Sequence, residues 1–270
     1  MRRFLRSWRL VLRISALTFR AQLEYRTDFV MRIALGVAWQ VSIIVFATVL
    51  LGNFPGMGGW PSRAVLLIAA MRMMSHAFFE LFFGRSLELA ALVQEGFVDV
   101  YLLRPMPVYR QVQLASFPSN AIGDLLVGVS ISVIAVRESH LHWGLAHASY
   151  GVLALLGGTL VEAAIFTTLS SAHLHFPAAS AWSNWVEELM GTFGYYPLKF
   201  LPTVISGAFT FVLPLAFIAY FPVAILTGNT AGLGVPVAFA AWAPGVGLLA
   251  YVGSRLIWNR SLRYYSGVNG

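Results

Sequence analysis

Gln94-Glu95-Gly96-Phe97-Val98-Asp99-Val100-Tyr101-Leu102-Leu103-Arg104-Pro105-Met106-Pro107 is a short charged segment, and the chain on either side of it is apolar enough to cross a bilayer. Read as a helix, it brings Glu88, Glu95 and Asp99 to i, i+7 and i+11, within roughly 40° of one another at 3.6 residues per turn. An acidic stripe on an otherwise apolar rod is the expectation. Gly96 can break the rod in two, and Pro105 with Pro107 end it, because proline lacks the N–H and restricts the residue before it. The segment reads as a compact helical knob at a membrane face, between two spans of an all-helical chain.

Composition supports that frame. The 270 residues are 58% hydrophobic and 11% charged, where a soluble domain carries about 25% charged residues, and the mean hydropathy is +0.73. This is the composition of a polytopic membrane protein. A net charge of +7 would suggest nucleic acid as partner of a soluble protein; in a bilayer protein, arginine placement reports orientation instead. With no cysteine, neither a disulfide nor a thiolate site is available. Arg2, Arg6, Arg9, Arg13 and Arg20 recur on one helical face, with Leu5, Trp8, Leu12 and Phe19 opposite. Residues 1–26 therefore read as an amphipathic helix on an anionic leaflet. Arg13 and Arg20 interrupt what would be the apolar core of a cleaved signal, so cleavage is not expected.

Six windows have the length and apolarity of spans: 28–52, 63–83, 119–136, 145–171, 203–226 and 236–257. Lys and Arg outside them fall in the N-terminus, the second link, the fourth link with Lys199, and the tail 258–270; only Arg63 and Arg137 lie elsewhere. Those four regions are expected on the cytoplasmic side of a bacterial cytoplasmic membrane, with both termini inside. The fourth link, around Trp182-Ser183-Asn184-Trp185, reads as an interfacial helix. Pro202, Pro214 and Pro222 in the fifth window, and Pro236 and Pro244 in the sixth, predict kinks or broken ends covered by neighbouring helices.

No phosphate-binding loop is present, since that loop needs Gly-Lys and Lys199 follows Leu198. Nucleotide-driven work would come from a partner chain, and no catalytic residue, metal site or cofactor is expected on this one. His140 with His142, and His173 with His175, fall at opposite ends of spans and cannot share an ion. Arg72, His76 and Glu80 lie at i, i+4 and i+8 on one stripe of the second span. Ionisable groups there are expensive and face a bundle interior or a wet cavity. Glu162, deep in the fourth span, is the natural counter-charge. Two readings stand: a pathway lining or gate, and an inter-helix ion pair.

Leu23-Glu24-Tyr25-Arg26-Thr27-Asp28-Phe29 before the first span and Glu95 through Pro105 after the second are two pieces of a pattern. Asn120-Ala121-Ile122-Gly123-Asp124 entering the third continues it. Phe211-Val212-Leu213-Pro214, Tyr220-Phe221-Pro222 and the tail Trp258-Asn259-Arg260-Ser261-Leu262-Arg263-Tyr264-Tyr265-Ser266-Gly267 complete it. In this order the chain resembles the six-span permease subunits of bacterial type-2 ABC transporters, of the subfamily encoded beside a second permease and an ATPase. The resemblance implies a single transmembrane domain over 1–270, with connector 1–26, bundle 28–257 and tail 258–270. It implies a coupling helix, built here from Glu88, Glu95, Gly96, Asp99, Leu103, Arg104 and Pro105, seated in a groove of the ATPase that carries ATP and Mg²⁺. It also implies a pathway shared with a second permease, different or identical, export driven by ATP, and short re-entrant helices near the outer end of span five; the one stretch at hand, Leu226 to Pro236, is too rich in glycine to be assigned to them. The competing class is a stand-alone membrane protein, either a secondary transporter using Glu162 and His76 or an intramembrane enzyme.

Overall fold

A computed structural model describes residues 2–53, 60–139, 141, 143–176 and 180–267, with side chains of 2–9 and 46–53 left out; His140 and His142 lie outside it. All regular structure among these residues is helical. Helix α1 (Arg2–Glu24) bends at Tyr25 into α2 (Arg26–Asn53), and α3 (Ser62–Phe83) continues through a 3₁₀ turn at Gly84–Glu88 into α4 (Leu89–Gln94). Short helices α5 (Phe97–Leu102) and α6 (Val108–Gln113) follow, then the long α7 (Asn120–Glu138) and α8 (Leu145–His173). The second half is more broken: α9 (Ser180–Phe193), α10 (Thr203–Phe211), α11 (Tyr220–Thr227), α12 (Val237–Ala241) and α13 (Ala243–Arg263).

Four segments are long and apolar enough to cross a membrane: Arg26–Val45, Ser62–Gln94, Asn120–Glu138 and Leu145–His173. They are placed very differently. The most apolar stretch of Ser62–Gln94 is 61% buried, whereas that of Arg26–Val45 is only 11% buried, so α3 is central and α2 peripheral. Close approach uses small residues where hydrophobic driving force between lipid-solvated helices is weak. A Cβ on Gly123 of α7 would lie 2.9 Å from the Val37 backbone nitrogen of α2. A Cβ on Gly247 of α13 would meet the Gly157 backbone of α8 inside van der Waals contact.

The route after α8 differs from the hydropathy windows. Ser183 of α9 lies 3.2 Å from His173 Nε2 at the end of α8. Eleven residues on, Gly194 abuts Arg72 halfway along α3, and Lys199 Nζ then donates to the Ala231 carbonyl at 3.3 Å. The loop holding Ala231 lies at the far end of the bundle, since nearby Asn229 shares a pocket with Arg63, Ser139 and Leu141. Thus α9 and the turns after it carry the chain from one end of the bundle to the other, and Lys199 sits at the end of Arg63 rather than in a cytoplasmic link. The window 203–226 is not one span. Its chain enters from the far end as α10, meets the middle of α8 where a Cβ on Gly158 would touch the Ile218 carbonyl at 2.7 Å, and returns as α11 to Asn229. Gly158 is thirteen residues, about 20 Å of helix, from the start of α8, so this is a deep re-entrant pair. Leu226 to Pro236 holds the end of α11 and the loop after it. The prolines mark the breaks: Pro202 caps α10, Pro214 begins the 3₁₀ turn Leu215–Phe217, Pro236 caps α12 and Pro244 sits in the first turn of α13.

Candidate functional site

Two sites stand at different depths. In the middle of the bundle, Arg72 Nη1 donates to Glu162 Oε2 at 2.8 Å and Nη2 to Oε1 at 3.2 Å, a fork-on-fork pair. His76 Nδ1, one turn along α3, lies 2.7 Å from Glu162 Oε1. Arg72 is 2% and Glu162 0% exposed. The guanidinium also lies 5.8 Å from the Tyr195 ring centroid, and a Cβ on Gly194 would come within 2.8 Å of Arg72 Nε, so glycine there lets the chain leaving α9 close over the pair. The cluster thereby joins α3, α8 and the turn after α9.

Glu80, third on the same stripe, is not in this cluster. It accepts from Asn120 Nδ2 at 3.4 Å and fills the space beside Gly84, where a Cβ would meet its carboxylate at 2.7 Å. The reason is geometric: four residues are 6 Å of rise along α3, and Arg72 and His76 are already turned to Glu162. Glu80 instead helps dock the start of α7 on α3, as does Gln40 Nε2 donating to Asp124 Oδ1 at 3.1 Å between α2 and α7.

At the end of α3 the second site is the segment between α3 and α7. Gly96 takes φ 75°, a left-handed conformation between α4 and α5, so the rod is an elbow and the single acidic stripe does not form. Glu88 pairs with Arg85, whose Nη1 also donates to Ser116 Oγ at 2.8 Å. Glu95 is exposed, while Asp99 is half-buried beside Gly267 of the tail and faces Tyr265. Burial first, and that facing carboxylate second, push the Tyr265 hydroxyl up to about 12. What the elbow presents to solvent is largely apolar: Phe97, Val100, Leu102 and Leu103, the last 87% exposed, with Arg104 and Pro105 beside them.

Its inner face is a small core of its own, including Leu89, Val93, Val98, Tyr101, Leu174 and Trp258. Gln111 Nε2 donates both to the Tyr101 carbonyl at 2.8 Å and to the Met106 carbonyl at 2.7 Å, stapling the turn that Pro105 and Pro107 make. Tyr109 is the hub: its hydroxyl is 3.1 Å from Thr167 Oγ1 of α8, its ring edge meets Trp258 at 5.2 Å, and the Arg255 guanidinium stacks 3.5 Å from its centroid. Sequence reasoning singled out neither Tyr109 nor Gln111. A tyrosine two residues after Pro107 on an amphipathic turn was the available signal, but its partners are 58 or more residues away in sequence. Helix α1 joins this end through Phe19, whose ring contacts Phe29 at 5.9 Å and Phe117 at 4.9 Å. Arg13 and Arg20 are exposed, and so are Leu12 and Leu17. The side chains of Arg2, Arg6 and Arg9 are outside the described part. No group of His, Asp and Glu with metal-binding geometry occurs among the described residues.

A bundle of bilayer-length helices with a buried ion-pair cluster, a deep re-entrant pair and a protruding elbow between spans defines a multi-pass membrane protein. The chain belongs to the ABC-2 family transporter proteins, whose family model matches residues 37–268. A comparison with curated proteins found no match. The chain is thus a membrane permease component of an ABC transporter, and family membership implies association with an ABC ATPase. The match begins inside α2, so α1 lies outside it.

Proposed function

We propose that this chain is the transmembrane subunit of an ATP-driven exporter of the bacterial cytoplasmic membrane. In this reading it shares the pathway with a second permease, identical or different, and docks through the elbow on one of the complex's two ATPase subunits, which hold ATP and Mg²⁺. Both termini face the cytoplasm. The observation that carries the reading is the elbow itself: Gly96 and the Gln111 staple hold Phe97, Val100 and Leu103 out in water, while Tyr109 ties the same segment to α8 and α13. A rigid apolar knuckle backed by two long helices can pass a push from a soluble motor into the bundle. The mainly exposed α2 supports a second permease as neighbour. Lys and Arg asymmetry supports the orientation, since Arg63, Arg137 and Lys199 alone are at the far end.

In this reading the coupling residues divide. Glu95, Leu103, Arg104 and Pro105 meet the ATPase; Glu88 and Asp99 hold the elbow in place, against Arg85 and the tail. The test is co-expression with the genomic neighbours followed by affinity purification of this chain. Glu95→Lys with Leu103→Ala is expected to reduce the co-purifying ATPase by at least about tenfold, the loss of an interface anchor of about 1.4 kcal/mol or more, with the permease still in the membrane. Unchanged recovery of the ATPase would remove the elbow from the docking role. A permease that purifies alone in every form would favour a stand-alone carrier.

A further inference from the structure

Two cavities lie one above the other at the end of the bundle away from the elbow. The deeper is an apolar cavity of about 260 Å³ between α3, α7 and α8, closed by Leu226 of α11 and lined by Leu67, Met71, Val136, Trp143 and Leu155 among others. The shallower, about 90 Å³, is polar and is lined by Arg63, Ser139, Thr227 and Asn229. The same elements supply both, one turn or less apart: Arg63 and Leu67 on α3, Val136 and Ser139 at the end of α7, Leu226 and Thr227 at the end of α11. The polar chamber therefore sits directly outward of the apolar one.

Three features of this pair lack a protein partner. Among the described residues no carboxylate lies within ion-pair distance of Arg63. The Asn229 side chain makes no hydrogen bond there, while the hydroxyls of Ser139 and Thr227 are turned to the carbonyls of Val136 and Val223. Trp143 lines the apolar cavity, and its indole N–H is fully buried and has no acceptor. Arg137 and Glu138 stand exposed at the end of α7 and line neither chamber, so they leave Arg63 as the charge of the site. We infer that the paired cavities bind an anionic phospholipid of the surrounding bilayer: the phosphate on Arg63 and Asn229, and an acyl chain in the apolar cavity beside Trp143. Lipid is the occupant that matches the order of these groups with depth, cation at the headgroup level and hydrocarbon below. The site is separate from the elbow and from the Arg72–Glu162 pair, and it stands whether or not the export reading holds.

The test is fluorescence quenching of Trp143 by phospholipids with brominated acyl chains, on the full chain in the assembly in which it purifies, with Trp143→Phe as the reference that isolates this one indole. Brominated phosphatidylglycerol is expected to quench at about fivefold lower lipid fraction than brominated phosphatidylcholine, the effect of one basic residue on an anionic headgroup. Arg63→Gln, at an exposed position, should erase that preference, and Ala148→Phe, at the exposed mouth of the apolar cavity, should weaken quenching by both lipids. Equal quenching by the two lipids in the unaltered chain, quenching indifferent to Ala148→Phe, or an indole shielded from every lipid by a second copy of the chain would each overturn the assignment.

Discussion

Glu162 accepts from Arg72 twice and meets His76 as well, so its replacement by Gln strands a guanidinium that cannot shed its proton. Arg72 is 2% exposed, and removing one partner of such a buried pair costs about 3–5 kcal/mol. Arg72→Met strands the carboxylate instead, though His76 remains to hold it, and should cost somewhat less. His76→Ala leaves the forked pair whole and should cost least. Were the two main losses independent, Arg72→Met with Glu162→Gln would cost roughly 6–10 kcal/mol. Because the double variant contains no stranded charge, it should be more stable than either single one. The assay is equilibrium unfolding in mild detergent followed by tryptophan fluorescence, run as a double-mutant cycle. A double variant that loses the sum of the two single losses would refute the pairing as the source of stability. The same proteins separate clamp from gate. If the cluster only fastens α3 to α8, the double variant still supports ATP-driven transport; if the pair opens during turnover, it folds but transports poorly.

Gly96→Ala should strain the elbow by about 1–2 kcal/mol, because a Cβ meets nothing within 4 Å and only the left-handed backbone at φ 75° objects; Gly96→Asn should be milder, and equal stability of the two in thermal unfolding would contradict this. Tyr109→Phe should lose about 0.5–1.5 kcal/mol with the Thr167 hydrogen bond, and Tyr109→Leu visibly more because the Arg255 stacking goes too; equal losses would place the energy in packing alone. Gly247→Ala should overpack α13 against α8 at a cost of about 1–3 kcal/mol, whereas Gly253→Ala on the same helix meets open space and should be neutral or stabilising. For Tyr265 the folded value is raised from 10.0 to about 12, so the folded state holds this proton more tightly and tail docking is at full strength below pH 10. It should weaken as pH rises from 10 to 12. The absorbance titration of the unaltered chain minus that of Tyr265→Phe should show a tyrosinate step near 12, and a step near 10 would mean the tail is not docked.

The elbow was legible in the sequence because its determinants are local. Glycine at 96 and prolines at 105 and 107 act through backbone rules that need no partner. The acidic stripe failed for the same local reason: a 3.6-residue period holds only while the helix runs unbroken, and Gly96 resets the phase between Glu95 and Asp99. The partner of Arg72 was also legible. An arginine and a glutamate at similar depth in two apolar spans have few ways to avoid an unpaired charge. That Glu80 would leave the stripe for Asn120 was not, since α7 packs on α3 through close approach of Gly128 to Met74, which hydropathy does not report.

The fifth crossing was misread because hydropathy weighs transfer to lipid, and the second half of the window, from Leu215 on, is packed against protein instead. Residues 203–226 are uncharged and long enough to span, yet Leu215, Ala216, Phe217, Ile218 and Phe221 are buried against protein. A segment packed inside a bundle can turn back on itself because the protein around it shields the turn from lipid, and the turn closes locally, the Ile218 amide donating to the Leu215 carbonyl at 3.0 Å. Conversely α9 carries Glu187 and Glu188 and scores poorly as a span, but it crosses beside the Arg72 cluster, where Ser183, Met190 and Tyr195 are buried. Apolarity thus marks the unbroken helices well, whether central like α3 or peripheral like α2, and a stretch that folds back on itself badly. The prolines carried the missing information: Pro202, Pro214, Pro222 and Pro236 fall within 35 residues, a density that a lipid-facing span does not tolerate and a re-entrant pair folded against α8 does.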